Sequence, residues 1–176
     1  GNAYIVEDLL KEKNFNFDLV SHVCLQQSYP LSILQNDYTG FHAVCNSGFE
    51  EIFDLMMNHS MSQHFLAQTN MKMDNALIAA SRGTSRNIVE KLLQIENLDI
   101  NYANSKGQTA LHVATNEDIV RLLLETPNID VNKKDLDGKT PFLSAVGIPG
   151  KSIPIYLADE RVDINALDVE GNGCFK

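Results

Sequence analysis

One phrase recurs along this chain, and the recurrence limits what it can fold into more than any other feature. Asn-Ser-Lys-Gly-Gln-Thr-Ala-Leu-His-Val-Ala at 104–114 returns as Asp-Leu-Asp-Gly-Lys-Thr-Pro-Phe-Leu-Ser-Ala at 135–145, and starts again as Asp-Val-Glu-Gly-Asn-Gly-Cys-Phe at 168–175. Its glycines, Gly107, Gly138 and Gly171, are 31 and 33 residues apart. The other half of each unit repeats in register with it. Ile88-Val89, Leu92-Leu93 and Leu98-Asp99-Ile100-Asn101 match Ile119-Val120, Leu123-Leu124 and Ile129-Asp130-Val131-Asn132, and Ile153, Tyr156-Leu157 and Val162-Asp163-Ile164-Asn165 follow one period later. Two half-motifs at a period near 33 indicate stacked helical units, each touching only its neighbours.

The spacing explains why such units must stack. Ile88, Val89, Leu92 and Leu93 draw one apolar stripe on a helix, which a single pair of short helices cannot bury by itself. Thr109 and Thr140 suit N-caps, where a hydroxyl accepts a bond from an orphan backbone N–H. Pro141 fits the first helical position, where its missing donor does no harm. Gly107, Gly138 and Gly171 allow a positive φ in the turn before that helix. Ala79, Ala80, Ala114 and Ala145 let neighbouring helices approach closely. The Asp-Ile-Asn and Asp-Val-Asn segments should open a hairpin-like loop to the next unit, with Ile100, Val131 and Ile164 pointing inward.

The units are not uniform. Thr109 to Ile119 spans 10 residues where Asn75 to Ile88 spans 13, so the third unit is expected to lose three residues between its helices. Pro154 should shorten or shift the second helix of the fourth unit, after a turn at Gly147-Ile148-Pro149-Gly150. The 36 residues from Thr39 to Asn75 leave an excess, expected as a longer polar loop over 58–64. Residues 1–37 read as an irregular helical segment. There Ile5-Val6 and Leu9-Leu10 copy the stripe of a preceding unit's second helix. The chain opens on Gly1 and closes inside a unit, so the natural protein is expected to extend further.

These residues resemble the ankyrin repeat family, whose pattern runs roughly Asp-x-x-Gly-x-Thr-Pro-Leu-His, a small-residue pair and turn, Ile-Val-x-x-Leu-Leu, then Asp-Val-Asn. Thr109-Ala110-Leu111-His112 and Thr140-Pro141-Phe142-Leu143 carry it most clearly. Asn75-Ala76-Leu77-Ile78 and Thr39-Gly40-Phe41-His42 are weaker copies. The resemblance implies an all-α ankyrin-repeat solenoid with repeats at about 38–69, 70–103, 104–134 and 135–167 and a partial repeat at 168–176. It implies a non-catalytic module that binds a protein partner through a concave surface of loop tips and first helices. The corresponding positions are Met71, Lys72, Asp74, Ser81, Arg82, Ser105, Lys106, Gln108, Leu136, Asp137, Lys139, Val169, Glu170 and Asn172. An alternative is the targeting part of a larger multidomain enzyme or bacterial effector whose catalytic domain lies elsewhere.

Composition narrows the partner. The 176 residues carry a net charge of −9, which disfavours nucleic acid, since phosphate binding needs clustered Lys and Arg. The tips of repeats three to five carry Asp135, Asp137, Asp168 and Glu170 against Lys106 and Lys139, which calls for a partner with a basic or mixed surface. No apolar run approaches the roughly 20 residues that span a bilayer. Three cysteines, Cys24, Cys45 and Cys174, without close pairs fit a reducing compartment: the cytoplasm, or a host cytosol for a secreted effector.

Reactive constellations are hard to find, and no cofactor or metal is implied. There is no phosphate loop, Gly-x-Ser-x-Gly or His-Glu-x-x-His motif. His42 and Cys45 occupy a His slot and a small-residue slot of the repeat, so the imidazoles of His42 and His112 should bond backbone between repeats and the thiol should pack. His22 and Cys24 are two apart on an expected helix and face apart. His59 and His64 lack two zinc ligands. The aspartates at 130, 135, 137, 163 and 168 do not follow a calcium loop. Asn101, Asn132 and Asn165 each follow a Leu by eight residues, a spacing similar to that of ankyrin asparagines hydroxylated by a eukaryotic dioxygenase. An Asn that bonds its own loop backbone is the preferred reading.

Overall fold

The computed structural model describes residues 40–60, 62–146 and 153–174. The expectations for 1–37 and for the turn at 147–150 lie outside them. The described residues form helices and turns without a strand. In order the helices are α1 Gly40–Ser47, α2 Glu50–Met57, α3 Ser62–Ala67, α4 Ala76–Arg82, α5 Arg86–Leu93, α6 Ala110–Val113, α7 Glu117–Glu125, α8 Pro141–Val146 and α9 Ile153–Leu157. First helices α1, α4, α6 and α8 pack in sequence, and second helices α2, α5, α7 and α9 form a parallel row behind them.

The core is the sum of the stripes. Ile88, Val89 and Leu92 of α5, Ile119, Val120, Leu123 and Leu124 of α7 and Ile155 and Tyr156 of α9 are buried in one continuous cluster with Leu77, Leu111 and Phe142 of the first helices. Burying a Leu or Ile side chain contributes roughly 1.5–3 kcal/mol, so several such contacts per repeat outweigh the weak intrinsic stability of helices this short. Alanines 79, 80, 114 and 145 are fully buried, which is how adjacent first helices come close. The Tyr156 hydroxyl donates to the Leu111 carbonyl at 3.2 Å, tying the fourth repeat to the third. Of the three inward positions in the loops, Val131 is buried, while Ile100 and Ile164 are half-buried.

Helix starts follow local chemistry. Asn75 Oδ1 accepts from the Ile78 N–H at 2.9 Å, Ser85 Oγ from Ile88 at 3.3 Å, and Asn116 Oδ1 from Asp118 at 2.8 Å. Thr140 Oγ1 accepts from Leu143 at 3.3 Å, with Pro141 first in its helix. Pro154 sits second in α9 as described; the residues before it, 147–152, lie outside the described ones, so the expected shortening is left open.

Three expectations need correction. Of the polar loop expected over 58–64, residues 58–60 are turn, but 62–64 open α3, whose Phe65 is fully buried and stacks 5.6 Å from Phe41, which in turn stacks 5.7 Å from Phe53. One aromatic side chain among Ser, Gln and His was enough to dock the segment onto the core. The three residues missing from the third repeat are lost from its first helix, since α6 has four residues against seven in α4, while both turns that follow have three. Three residues are close to one helical turn of about 3.6, so the loss removes most of a turn and leaves the faces offset by only about 60°. Finally, Asn101 and Asn132 bond the next loop rather than their own. Asn101 Nδ2 donates to the Asn128 carbonyl at 2.9 Å and its Oδ1 accepts from Asp130 at 2.8 Å; Asn132 does the same with Arg161 and Asp163 at 2.7 and 2.8 Å.

Candidate functional site

From the second repeat on, each presents a four-residue tip at its start, and one polar side chain builds it. Asn70, Asn104, Asp135 and Asp168 each turn Oδ1 back onto two backbone N–H groups two and four residues on, at 2.8–3.0 Å. This side-chain turn fixes the tip before any neighbour is met. Bonded N–H groups favour the ionised form, and those of Asn172 and Glu170 hold the Asp168 carboxyl below its ordinary range. The tip closes with a left-handed residue: Gly107, Gly138 and Gly171 have φ of 75°, 73° and 74°, and Met73 takes the same conformation at 56°.

Neighbouring tips are joined through the main chain. Ser105 N–H donates to the Lys72 carbonyl, Leu136 to Lys106 and Val169 to Asp137, each at 3.0 Å. The ladder brings backbones so close that a Cβ on Gly107 would lie 2.9 Å from the Leu136 nitrogen, and one on Gly138 2.9 Å from that of Val169. Met71, Ser105, Leu136 and Val169 therefore project from equivalent points of one row. Met71, Leu136 and Val169 are 76%, 72% and 73% exposed, a high value for apolar side chains.

The other expected contact positions divide. Lys72, Lys106, Asp137, Glu170 and Asn172 are exposed, as is Ser105, and Arg82, Gln108 and Lys139 are half-exposed. Asp74 and Ser81 are fully buried, which corrects their assignment to a partner surface. Asp74 is instead a hub between repeats: Oδ1 accepts from Asn104 Nδ2 at 2.7 Å, Oδ2 from Asn70 Nδ2 at 3.2 Å, and Arg82 Nε lies 3.4 Å from Oδ2. That last approach gives charge attraction without hydrogen-bond geometry. A buried carboxylate needs such partners to stay in the interior. Ser81, on α4, is buried with no hydrogen-bond partner for its hydroxyl among the described residues.

The two buried histidines, His42 and His112, lie inside the stack. His112 Nδ1 accepts from the Thr109 N–H at 3.1 Å, and Nε2, which must then carry the proton, donates to the Lys139 carbonyl of the next repeat at 3.0 Å. Burial pushes the pKa of His42 below 6.5, against the pull of the Asp74 backbone and charge. Burial likewise raises the Cys45 thiol and the Tyr156 phenol. Among the described residues no group of three or more His, Cys, Asp or Glu is arranged to hold a metal ion. Nor is any helix among them long and apolar enough to cross a membrane.

Several contributors escaped sequence reasoning. Glu50 reaches across to Ser85 Oγ at 2.8 Å and Asn87 Nδ2 at 3.0 Å, bonds that lower its pKa, and Lys91 pairs with Asp54 at 2.7 Å. No repeated pattern announces these cross-repeat pairs. Asn70 was legible in principle, lying 34 residues before Asn104. The exposed Val146 and Leu157 of the last described helix pair, and Leu167 in the loop beyond it, also went unassigned.

The family model for ankyrin repeats (3 copies) matches residues 41–135 and again 76–168. The chain belongs to the ankyrin repeat family. Ankyrin repeats are generally protein–protein interaction modules and typically lack catalysis of their own. No curated protein matches the chain.

Proposed function

We propose that this chain is a non-catalytic module that binds a protein partner through the row of repeat tips and the adjoining face of the first helices. The observation that carries this reading is the alignment of Met71, Leu136 and Val169, exposed apolar side chains held in register by main-chain bonds. A surface ordered before binding loses little conformational entropy on contact. Repeats divided at about 38, 70, 104, 135 and 168 put Lys72, Ser105, Lys106, Gln108, Asp137, Lys139, Glu170, Asn172 and Arg82 around that row, and a partner with a basic or mixed surface suits its acidic end. The odd number of cysteines supports a reducing compartment, the cytoplasm or a host cytosol.

The experiment is partner capture with the parent chain and two variants, followed by binding kinetics. Leu136→Asp should speed dissociation, because a buried anchor governs how long a complex lasts. Asp137→Lys should slow association and weaken its salt dependence, because rim charges mainly steer encounter. A partner that binds both variants like the parent rules out the tip row.

A further inference from the structure

The charges along the row are sorted by sign. At its first two tips stand Lys72 and Lys106, both exposed. Arg82 joins them from the far end of α4: its Nε reaches back to within 3.4 Å of Asp74, just ahead of that helix, so the side chain lies along the helix toward the tip with about a third of its surface exposed. The carboxylate beneath these cations, Asp74, is buried and shared with Asn70 and Asn104. The last two tips invert the pattern. Asp135, Asp137, Asp168 and Glu170 stand against Lys139, whose charge already acts on Asp168. Lys133 and Lys134 of the same segment are bound to the carbonyls of Asn101 and Leu167.

We propose that the row receives an extended peptide segment of matching polarity, with acidic residues over Lys72, Arg82 and Lys106, an apolar residue at Leu136, and basic residues over Asp137 and Glu170. This rests on the tip row being the binding surface. The row is a single file of side chains, which suits a strand-like segment better than a broad face. Stacked helices lie about 8–10 Å apart, so three steps between four tips span about 24–30 Å. At roughly 3.3 Å per residue, an extended chain covers that distance with eight or nine residues. Opposed signs at the two ends fix the direction of the segment, and like charges facing each other exclude uniformly charged competitors.

Three fluorescent ten-residue peptides with a central leucine pair test this with the full chain: one acidic at one end and basic at the other, one acidic throughout, one basic throughout. At low ionic strength the dipolar peptide should bind at least tenfold more tightly than either other, and its advantage should shrink as salt shortens the screening length below about 10 Å. The double variant Lys72→Glu with Lys106→Glu should make the basic peptide the tightest binder. Asp137→Lys with Glu170→Lys should make the acidic peptide the tightest. These positions are exposed, and circular dichroism checks that the variants fold like the parent. Equal affinity for the three peptides, no binding by any, or an unchanged ranking in both variants overturns the proposal. If the peptides fail while a captured native partner still depends on Leu136, the inference about the segment falls and the tip-row interface stands. If that partner ignores Leu136→Asp, the interface reading falls as well.

Discussion

The first helices of the second and third repeats do the same work with different parts. α4 has seven residues, α6 four, and both are followed by three-residue turns into second helices of eight and nine residues. α6 carries His112, whose ring joins its own N-cap to the next repeat. α4 has Ile78 at that position, whose side chain can bond nothing. There the junction is made one turn earlier by Asp74, whose carboxylate takes Asn104 from the following tip. Helix length and the identity of the polar connector are thus adjustable. The buried stripe of the second helix and the side-chain-built tip recur in both repeats.

If the stripes are the constant element, equivalent leucines must matter equally. Leu92→Ala in α5 and Leu123→Ala in α7 should each cost roughly 2–5 kcal/mol, measured by chemical unfolding. Lys106→Ala at a tip should stay within about 0.5 kcal/mol. A large gap between the two leucines would mean that the shorter α6 changes its repeat more deeply than its geometry indicates.

The connectors come next in size. Asp74→Ala strands two buried amides and the Arg82 guanidinium, and should cost about 3 kcal/mol. His112→Leu strands the Thr109 N–H and leaves the Lys139 carbonyl with the Asp135 N–H alone, and should cost about 1–2 kcal/mol. The reverse order in melting experiments would show the ring to be the stronger connector.

A smaller effect separates His42 by pH. Its folded pKa lies below 6.5, so the unfolded chain binds more protons than the folded one in the interval between the two values. Its contribution is complete above 6.5 and is lost as pH falls toward the folded value. Melting temperature should therefore decline from pH 7 to about 5.5, a range above ordinary carboxylate titration. His42→Leu, which copies the Leu143 found at the equivalent position of the fourth repeat, should flatten that decline; an unchanged slope would assign it elsewhere.

The smallest effect concerns Met73, the non-glycine residue in a tip's left-handed position. Met73→Gly should raise stability by about 0.5–1 kcal/mol, the strain relieved less the extra chain entropy of glycine. A loss on substitution would show that the Met73 side chain packs against the stack.

What was legible in the sequence follows the same division. The stripes, the cap at Thr140 and the positive φ of Gly107, Gly138 and Gly171 were all readable, because each is dictated within one repeat. The exposed tip positions Met71, Leu136 and Val169 came from the register of the repeat. The failures arose between repeats or outside the pattern. Whether Phe65 docks depends on the space that Phe41 leaves for it. Asp74 looked like a surface residue because its partners, Asn104 and Arg82, are brought to it only by stacking. Asn101 and Asn132 were misassigned for the same reason.

The bonds between tips run from main chain to main chain, and this separates two kinds of inheritance. Replacing Met71, Ser105, Leu136 or Val169 alters what the row displays while every Ser105–Lys72, Leu136–Lys106 and Val169–Asp137 backbone bond stays available. On the proposed reading of the row, a lineage carrying this chain can change its binding preference one tip at a time, each change judged on its own and reversible. The glycines at 107 and 138 have no such latitude, because a new methyl there would push the adjoining stretch of backbone away. Variation among descendants should accordingly gather at the projecting positions and avoid the two residues that let the tips touch.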